Sequence, residues 1–472
     1  MNEWTKISGI LLFWLLPLSQ CSRDASRLFE DLLADYNKLV RPVENDSDTL
    51  IVRFKLKLSQ LLDVVCIFSV IEAYVAFKHW TDYKLKWNPA DYGGVNVLYV
   101  PSDMIWLPDI VLYNNADGNY QVSIMTKAKL SPNGTVEWSP PAIYKSMCQI
   151  DVEWFPFDVQ TCEMKFGSWT YGGLEVDLQH KDSHIERTET ETVLGFDGEY
   201  DETIWVVDEG IDLSDYYPSV EWDVLGVPGK RHLKRYPCCE SPFIDLTYEI
   251  RLRRKTLFYI VYLIFPIVSI NFLTVLVFYL PSDGGEKISL CLNILISLTI
   301  FFLLLVEIIP STSLVIPLIG KYLLFTMVLV TLSVIVTVIT LNVHFRSPAT
   351  HTMPEWAKVF FTDLLPKYLL MRRPLPAKIS KGSSSSTSHD GSSFTSFQKE
   401  FTPAMSAVDS VSFIADQMKD DKDGQQVIED WKYISVVMDR LFLILFTTAC
   451  VIGSIVIILR APSIYDTTVA LA

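Results

Sequence analysis

Two cysteines enclose the stretch of sequence whose residue types and spacing point most directly to chemistry. Cys148 and Cys162 bracket a short loop, and a disulfide between them would close that loop in an exported chain. The tip of the loop consists of Phe155, Pro156, Phe157 and Asp158. Such a loop would project two aromatic rings and a carboxylate from a fixed base, which suits contact with a membrane or with another domain. An ordinary structural disulfide of a secreted domain is the alternative.

A second set of residues lies at helical spacing inside a long apolar segment. Steps of three and four residues place its members on one face of a helix. They are Ser289, Asn293, Ile296, Ile300, Leu303 and Glu307, with Glu286 just before them. Repeated around a symmetry axis, the carboxylates would form two rings that favour cations, and the apolar residues between them a dewetting gate. The alternative is that the polar residues only bond neighbouring helices.

Four apolar segments are long enough to span a membrane as helices. They are Leu257–Leu280, Ile288–Val306, Leu314–Leu341 and Ile434–Leu459. Residues 1–21 have the pattern of a signal peptide, because Lys6 precedes an apolar core too short to span a bilayer. With an exported N-terminus, four spans also return the C-terminus to the outside. The 343–433 connection is then cytosolic, and its first part is basic, as the positive-inside rule expects.

The composition narrows the class of protein further. The chain has 472 residues, of which 50% are hydrophobic, so it is more apolar than a typical soluble protein. Its formal net charge of −15 argues against binding to nucleic acid and favours cations near the outer domain. No metal-ligand spacing, phosphate-binding loop or nucleophile motif is present, so we expect neither an enzyme nor a cofactor. Asn45 and Asn133 begin glycosylation sequons.

The pattern along the chain predicts six parts. Alternating strands such as Ile51–Leu58 predict an extracellular, all-β sandwich, preceded by a helix over residues 25–40. The apolar segments predict a four-helix transmembrane bundle, and the Ser-rich stretch Ser380–Ser396 a partly disordered cytoplasmic loop. Helical periodicity returns at 354–370, which predicts an amphipathic helix at the membrane surface, and at 405–433, which runs into the fourth span. The predicted boundaries are 1–21 for the signal peptide, 22–255 for the extracellular sandwich, 256–342 for three spans, 343–433 for the cytoplasmic loop, 434–459 for the fourth span and 460–472 for an extracellular tail.

The Cys148–Cys162 loop with its Phe-Pro-Phe-Asp tip resembles the pentameric Cys-loop ligand-gated channels. The segments 284–289 and 305–313 look like the borders of the pore helix in nicotinic acetylcholine receptors, which are members of that family. The resemblance implies a cation-selective pentamer with its pore on the symmetry axis. Asn293 and Ile296 depart from the family, which usually has Ser or Thr at the first position and Leu at the second.

Three segments also resemble the principal agonist-binding face of the nicotinic receptors. They supply Tyr113, Trp169, Tyr236, the adjacent cysteines Cys238 and Cys239, and Phe243. Aromatic faces attract a quaternary ammonium by about 0.5–2 kcal/mol each, so four rings could hold acetylcholine or a related amine. In the family, a disulfide between adjacent cysteines marks an α-type subunit. Phe243 stands where Tyr is usual, so we expect weaker or altered agonist preference.

The resemblance also implies how binding opens the pore. The loop tip (Phe155, Pro156, Phe157 and Asp158) and Arg254 would act on the linker that begins at Pro310. Permeant cations, membrane lipid and other subunits of a heteropentamer are the implied partners, and the postsynaptic plasma membrane is the implied location.

Residues 65–79 depart most from the family. Val75 stands where the family has a tryptophan of the complementary agonist-binding face, so we expect this chain to need a different neighbouring subunit there. Cys66 has no assigned partner.

Three interpretations of the whole chain compete with an agonist-binding channel subunit. They are an accessory subunit with weak or no agonist binding, a channel for another amine, and a non-channel adhesion receptor.

Overall fold

The structure is a computed structural model that describes most of the chain. The described residues are 20–65, 68–118, 124–195, 198–236, 239, 241–310, 312–347, 353–371, 401–462 and 465–471. The predicted signal-peptide core, Cys66, Cys238 and the Ser-rich stretch lie outside them. The chain divides into two compact units, one up to Tyr259 with residues 309–318 and 461–472, and one of residues 260–308 and 319–460.

Two β-sheets form the first unit, as the all-β prediction requires. The first sheet runs β12-β1-β2-β6-β5-β3, with β7 on β2 and β9 on β1. The second runs β10-β11-β14-β15-β8-β4, with β13 on β15. The strands of the described residues are β1 Leu50–Val65, β2 Phe68–Lys86, β3 Leu98–Pro101, β4 Ile110–Leu112, β5 Lys127–Leu130, β6 Asn133–Trp138, β7 Tyr144–Met147, β8 Val159–Ser168, β9 Val176–His180, β10 Arg187–Gly195, β11 Gly198–Val207, β12 Ile211–Asp212, β13 Trp222–Gly226, β14 Gly229–Lys234 and β15 Phe243–Arg254.

The core of this unit follows from the period-two alternation of its strands. In β1, Val52, Phe54 and Leu56 are buried while Ile51 is exposed, so one face of the strand packs inward. The ring of Phe54 lies 5.0 Å from that of Phe166 in β8 and 6.1 Å from that of Tyr248 in β15. Because β1 belongs to the first sheet and the other two strands to the second, these rings join the two sheets of the sandwich.

The unusual 65–79 segment forms part of a long antiparallel hairpin. β1 pairs with β2, and Lys57 lies opposite Val75. Three irregularities interrupt the register, between Lys57 and Leu58, Leu58 and Gln60, and Leu61 and Asp63. From Ala76 to Asp82 buried residues alternate with more exposed ones, and Trp80 is buried in the core. The segment therefore continues the strand that carries residues 80–87, and this strand lies inside the first sheet.

The first helix is shorter than the sequence predicts. Helix α1 spans Gln20–Leu33, whereas the periodicity predicts a helix to Val40. Leu28 is fully buried, but Leu39 is 81% exposed and lies beyond the helix. The prediction was wrong at this end because residues 34–35 and 38–39 form turns, and the Asn37 side chain accepts a hydrogen bond from the Leu39 amide at 3.0 Å, a local bond that competes with the helix.

Among the residues that the structure describes, four helices are long and apolar enough to cross a membrane. They are α2 Leu257–Tyr279, α3 Lys287–Ile308, α4 Leu318–His344 and α6 Phe401–Ile458, and between the last two lies the short helical segment α5, residues 355–368. The third span begins at Leu318 rather than at Leu314, because Pro317 disfavours helical geometry in the residue before it.

Helix α6 confirms the prediction that the helical periodicity of residues 405–433 runs into the fourth span. Residues 405–433 and the fourth span form one continuous helix of 58 residues. At 1.5 Å per residue it is roughly 87 Å long, far more than the ~30 Å hydrocarbon core of a bilayer. Nothing between residues 401 and 458 interrupts it, because the internal Gly424 only weakens a helix by about 1 kcal/mol.

Polar side chains hold the second unit together at buried positions. The Asn271 amide of α2 donates to the Tyr322 hydroxyl of α4 at 3.1 Å and to the Ser454 hydroxyl of α6 at 3.4 Å. Tyr322 and Ser454 are 3.0 Å apart. Hydrogen bonds between buried polar groups of this kind fix the register of neighbouring helices in a membrane.

Candidate functional site

The predicted loop disulfide is present. Cys148 and Cys162 are bonded, with their Cα atoms 5.0 Å apart. Cys162 lies in β8 opposite Ile250 of β15, so the loop is anchored to the middle of the second sheet. The Cys-loop prediction is therefore confirmed at the level of the bond.

The tip of the loop does not project as the sequence analysis expected. Phe155 and Asp158 are both buried. The Asp158 carboxylate accepts hydrogen bonds from Arg254 Nε at 2.8 Å and from Nη2 at 3.0 Å. Gln160 also donates to this carboxylate, at 2.5 Å. The carboxylate turns inward because a planar guanidinium at the end of β15 offers it a bidentate, charge-assisted pair.

Aromatic rings surround the Arg254 guanidinium. It lies 4.2 Å from the ring centroid of Trp222, 5.0 Å from that of Phe155 and 5.6 Å from that of Tyr259. Burial alone would lower the pKa of Arg254, but the hydrogen bond and charge of Asp158 outweigh it and raise that pKa. The arginine therefore stays charged and links the loop tip, β13, β15 and the start of α2.

The linker between α3 and α4 meets the same loop. The backbone amide of Leu318 donates to the carbonyl oxygen of Glu153 at 2.8 Å. A cavity between loop and linker is lined by Asp151, Val152, Thr312 and Leu314, among others. Pro310 belongs to this linker. The contact comes from the segment just before the tip, which the sequence analysis did not single out.

Two aromatic pairs lie at one end of the second sheet. The rings of Tyr113 and Trp169 are 6.2 Å apart, and those of Tyr236 and Phe243 are 5.7 Å apart. Trp169 directly follows β8 and Phe243 begins β15, which pairs with β8, so the two pairs lie at matching strand ends. Trp169 is 67% exposed and Tyr236 48%, which is unusual for such large apolar rings.

Asp109 fixes the exposed tryptophan from beneath. Its carbonyl oxygen accepts a hydrogen bond from the Trp169 amide at 3.2 Å. Its carboxylate accepts bonds from the Ser168 hydroxyl at 2.6 Å and from the Thr170 amide at 2.8 Å. Both neighbours of Trp169 are therefore bound to one side chain. The sequence analysis missed this role, although Asp109 lies in the same segment as Tyr113.

Tyr113 lies tightly against the strand that carries Trp169. Its hydroxyl donates to the Ser168 carbonyl at 2.5 Å. A Cβ on Gly167 would collide with the Tyr113 ring, so this close approach needs glycine there. Burial, and then the nearby negative charges of Asp245 and Asp109, raises the pKa of Tyr113 to about 12. The phenol is therefore a neutral donor throughout the physiological range.

A buried ionic network lies beneath the aromatic pairs. The Lys165 ammonium is 2.8 Å from one Asp245 oxygen, and His232 Nδ1 is 2.8 Å from the other. Burial alone would raise the pKa of Asp245, but hydrogen bonds from His232 and Lys165 outweigh it and lower that pKa. The network joins β8, β14 and β15, the strands that lead to Trp169, Tyr236 and Phe243. Nothing in the spacing of these three residues signals it, because only strand pairing brings them together.

The second cysteine pair is only half described. Cys238 lies outside the described residues, and the Cys239 amide donates to the Tyr236 carbonyl at 3.1 Å, which closes a turn. The predicted Cys238–Cys239 disulfide remains a prediction. The sequon residues Asn45 and Asn133 are both exposed. Among the described residues no group of three or more His, Cys, Asp or Glu side chains is arranged to hold a metal ion.

Helix α3 has one exposed face and one buried face. The predicted stripe is exposed in this single chain throughout, namely Glu286, Ser289, Asn293, Ile296, Ile300, Leu303 and Glu307. The buried face consists of Lys287, Cys291, Ile294, Leu298 and Leu305. Exposure alone does not separate a pore face from a lipid face. The carboxylates, the amide and the hydroxyl of the stripe would find no hydrogen-bond partners in lipid, so the stripe is a candidate pore face.

Comparison with known proteins gives consistent results over nearly the whole chain. The model of the neurotransmitter-gated ion-channel ligand binding domain matches residues 25–256, and the model of the corresponding transmembrane region matches 263–403 and 375–458. The chain is 68% identical to the acetylcholine receptor subunit alpha-type unc-63 of Caenorhabditis elegans, over 98% of each chain. It is 50% identical to the alpha-type subunit unc-38 of the same organism, over 97% of this chain and 94% of that one. It is 42% identical to the human neuronal acetylcholine receptor subunit alpha-3, over 94% of each chain.

Proposed function

The chain belongs to the neurotransmitter-gated ion-channel family, and we propose that it is an α-type subunit of an acetylcholine-gated, cation-selective channel. In this proposal it supplies the principal agonist-binding face and part of the pore. The names of its relatives support acetylcholine as the agonist and the α-type assignment.

The exposed aromatic cluster is the observation that carries the proposal. Trp169 and Tyr236 leave apolar faces open to solvent, while Tyr113 and Phe243 lie against them. A quaternary ammonium binds such faces without a counter-charge, at about 0.5–2 kcal/mol per ring. Cys238 and Cys239 would form the disulfide of the loop that closes over the bound agonist. The rigid support from Asp109 favours a preformed site over one assembled on binding.

The exposed stripe of α3 supports the pore. Glu286 and Glu307 would form carboxylate rings at its two ends, and Ile296, Ile300 and Leu303 the hydrophobic gate between them. Arg254 and the loop tip would transmit agonist binding to the linker that contains Pro310. For this the agonist must bind the open state more tightly than the closed one.

The remaining assignments complete the proposal. We infer a heteropentamer with other receptor subunits, because Val75 on β2 supplies no ring for a complementary face. The protein would lie in the postsynaptic plasma membrane, with both termini extracellular, carbohydrate on Asn45 and Asn133, and the predicted domain boundaries. Membrane lipid and permeant cations are its other partners.

One observation favours a second candidate, an accessory subunit that binds agonist weakly. Phe243 offers a ring but no hydroxyl at the edge of the Tyr236 ring, so one polar contact with an agonist is absent.

Agonist-evoked current decides between an agonist-binding subunit and an accessory subunit. We expect a cation current in oocytes that express this chain with a non-α partner, and its abolition by Trp169→Ala at unchanged surface level. A current that survives Trp169→Ala would favour the accessory role.

A further inference from the structure

The first residue of the pore helix is a buried lysine. Lys287 begins α3 and is 1% exposed. Its ammonium lies 2.6 Å from one carboxylate oxygen of Asp439 in α6, which is itself buried. The pair thus joins the helix that carries the exposed stripe to the last helix of the same unit.

A buried ion pair of this kind has a strict geometry. Two charges taken out of water are stable only when they meet each other and further hydrogen-bonding groups. The other Asp439 oxygen and the Ser282 hydroxyl are both buried without a hydrogen bond among the described residues. Asp439 therefore relies mainly on Lys287, and neither charge can be removed without leaving the other uncompensated.

The pair also fixes the orientation of Glu286. Glu286 is exposed and Lys287 is buried, although they are adjacent. Glu286 directly precedes α3, and its carbonyl oxygen accepts a hydrogen bond from the Leu290 amide at 3.0 Å, so anchoring Lys287 to α6 sets the position of Glu286 and the rotation of the stripe that follows. Because Asp439 neutralises Lys287, the carboxylate of Glu286 remains the net charge at this end of the stripe.

Further contacts hold the same end of the helix bundle. His344, near the end of α4, lies 2.9 Å from an Asp283 carboxylate oxygen through Nε2 and 3.1 Å from the Ser435 hydroxyl through Nδ1. Lys432 of α6 also lies 3.6 Å from the Asp283 carboxylate. The short segment that leads into α3 is therefore tied to both α4 and α6, so α6 can act on the position of Glu286.

We propose that Lys287 and Asp439 are positioning residues that set the orientation and charge environment of the inner carboxylate ring formed by Glu286. This inference rests on the proposed function. A change in α6 then alters ion conduction through a helix that does not itself line the pore.

Single-channel recording from receptors assembled with a non-α partner tests this proposal. The variants are Asp439→Asn, Lys287→Gln, their double variant, and the exchange Lys287→Asp with Asp439→Lys. Arg440→Gln is the matched control, because Arg440 is the next residue on α6 and is exposed. Surface labelling of every variant separates assembly from conduction.

We expect Asp439→Asn to reduce the unitary cation conductance by about twofold or more, because it leaves a positive charge beside Glu286. The double variant and the exchange should recover part of that loss, and Arg440→Gln should have no effect.

Wild-type conductance in Asp439→Asn channels, or strictly additive effects in the double variant, would overturn the proposal. Absence of all four variants from the surface, with the control present, would assign the pair to folding alone and also overturn it. Absence of wild-type current would instead count against the proposed function.

Discussion

At the scale of single residues, the proposed agonist site depends on rings that are left uncovered. Trp169 is exposed although its backbone is bound firmly through Asp109 and Ser168. Phe243 packs its ring against Tyr236 but brings no hydroxyl. Binding at such a site should respond to ring identity more than to the titration of any group, because the pKa of Tyr113 lies at about 12.

Phe243→Tyr tests the missing hydroxyl. We expect the acetylcholine concentration for half-maximal current to fall by about two- to tenfold, since one added hydrogen bond contributes about 0.5–1.5 kcal/mol. Concentration–response curves in oocytes measure this. Tyr99→Phe, which removes a hydroxyl from an exposed residue of β3, is the control and should leave the curve unchanged. An unchanged curve for Phe243→Tyr would show that this hydroxyl position does not contact the agonist.

Lys78 carries a charge in the core of the sandwich. Burial lowers the pKa of its ammonium to about 8, although the charge of Asp109 opposes this shift. The ammonium lies 5.0 Å from the centroid of the Trp138 ring. At pH 7 the native state must therefore hold a buried cation, which costs stability relative to an apolar side chain.

We expect Lys78→Met to raise the melting temperature of the detergent-solubilised receptor, and to do so more at pH 7 than at pH 9. The folded pKa is below the unfolded one, so the native state binds fewer protons and the wild type gains stability as pH rises above about 8. The methionine variant lacks that gain. A difference in melting temperature that widens with pH would contradict the assignment.

At the scale of secondary-structure elements, the loop and the end of β15 are bound to each other through Arg254 and Asp158. Arg254 binds Asp158 and lies among the rings of Phe155, Trp222 and Tyr259. Because this arginine sits where β15 leads into α2, a shift of the strand moves the loop tip and the start of the first span together.

Arg254→Gln should separate binding from gating. We expect surface receptors that bind a labelled competitive antagonist with wild-type affinity but give at least about tenfold less maximal current, because the bidentate pair with Asp158 is lost. Arg254→Lys should rescue only partly, since an ammonium cannot form the planar pair. Arg251→Gln, a change at a neighbouring β15 position whose pair is with Glu249, is the control. Equal loss of binding and current would place Arg254 in folding instead.

The elements show how far the sequence could predict this structure. Period-two alternation was sufficient for strands such as β1, and helical spacing was sufficient for the α3 stripe, because both patterns are local. The inward turn of Asp158 and the Lys165–Asp245–His232 network were not predictable, since each depends on strands that are distant in sequence. The end of α1 at Leu33 was mispredicted because periodicity marks element ends poorly, whereas the continuity of α6 was predicted because the helical spacing of 405–433 runs into the fourth span.

At the scale of the whole molecule, one chain would supply only a fraction of each proposed site. The stripe of α3 encloses nothing within a single chain, and β2 carries Val75 where a complementary face would need a ring. Both features are consistent with a symmetric assembly in which neighbouring chains complete the pore and the agonist sites.

The proposed carboxylate rings predict the cation conductance of that assembly. Glu286→Gln should lower the unitary conductance for monovalent cations, and Glu286→Gln with Glu307→Gln should lower it further, because each change removes a carboxylate from a ring. Single-channel recording in symmetrical salt measures this. Glu355→Gln, an exposed carboxylate on α5, is the control. Conductance that does not depend on either carboxylate would contradict the assignment of the stripe to the pore.

The most direct test of the central claim is the acetylcholine-evoked current of this chain coexpressed with a non-α partner, measured for the wild type, Trp169→Phe and Trp169→Ala at matched surface levels. We predict a cation current for the wild type, a rightward-shifted response for Trp169→Phe, which keeps a smaller ring, and no response for Trp169→Ala. Tyr99→Ala serves as the control for loss of an exposed ring. Equal responses from all three Trp169 forms would contradict the claim that this chain supplies the principal agonist-binding face.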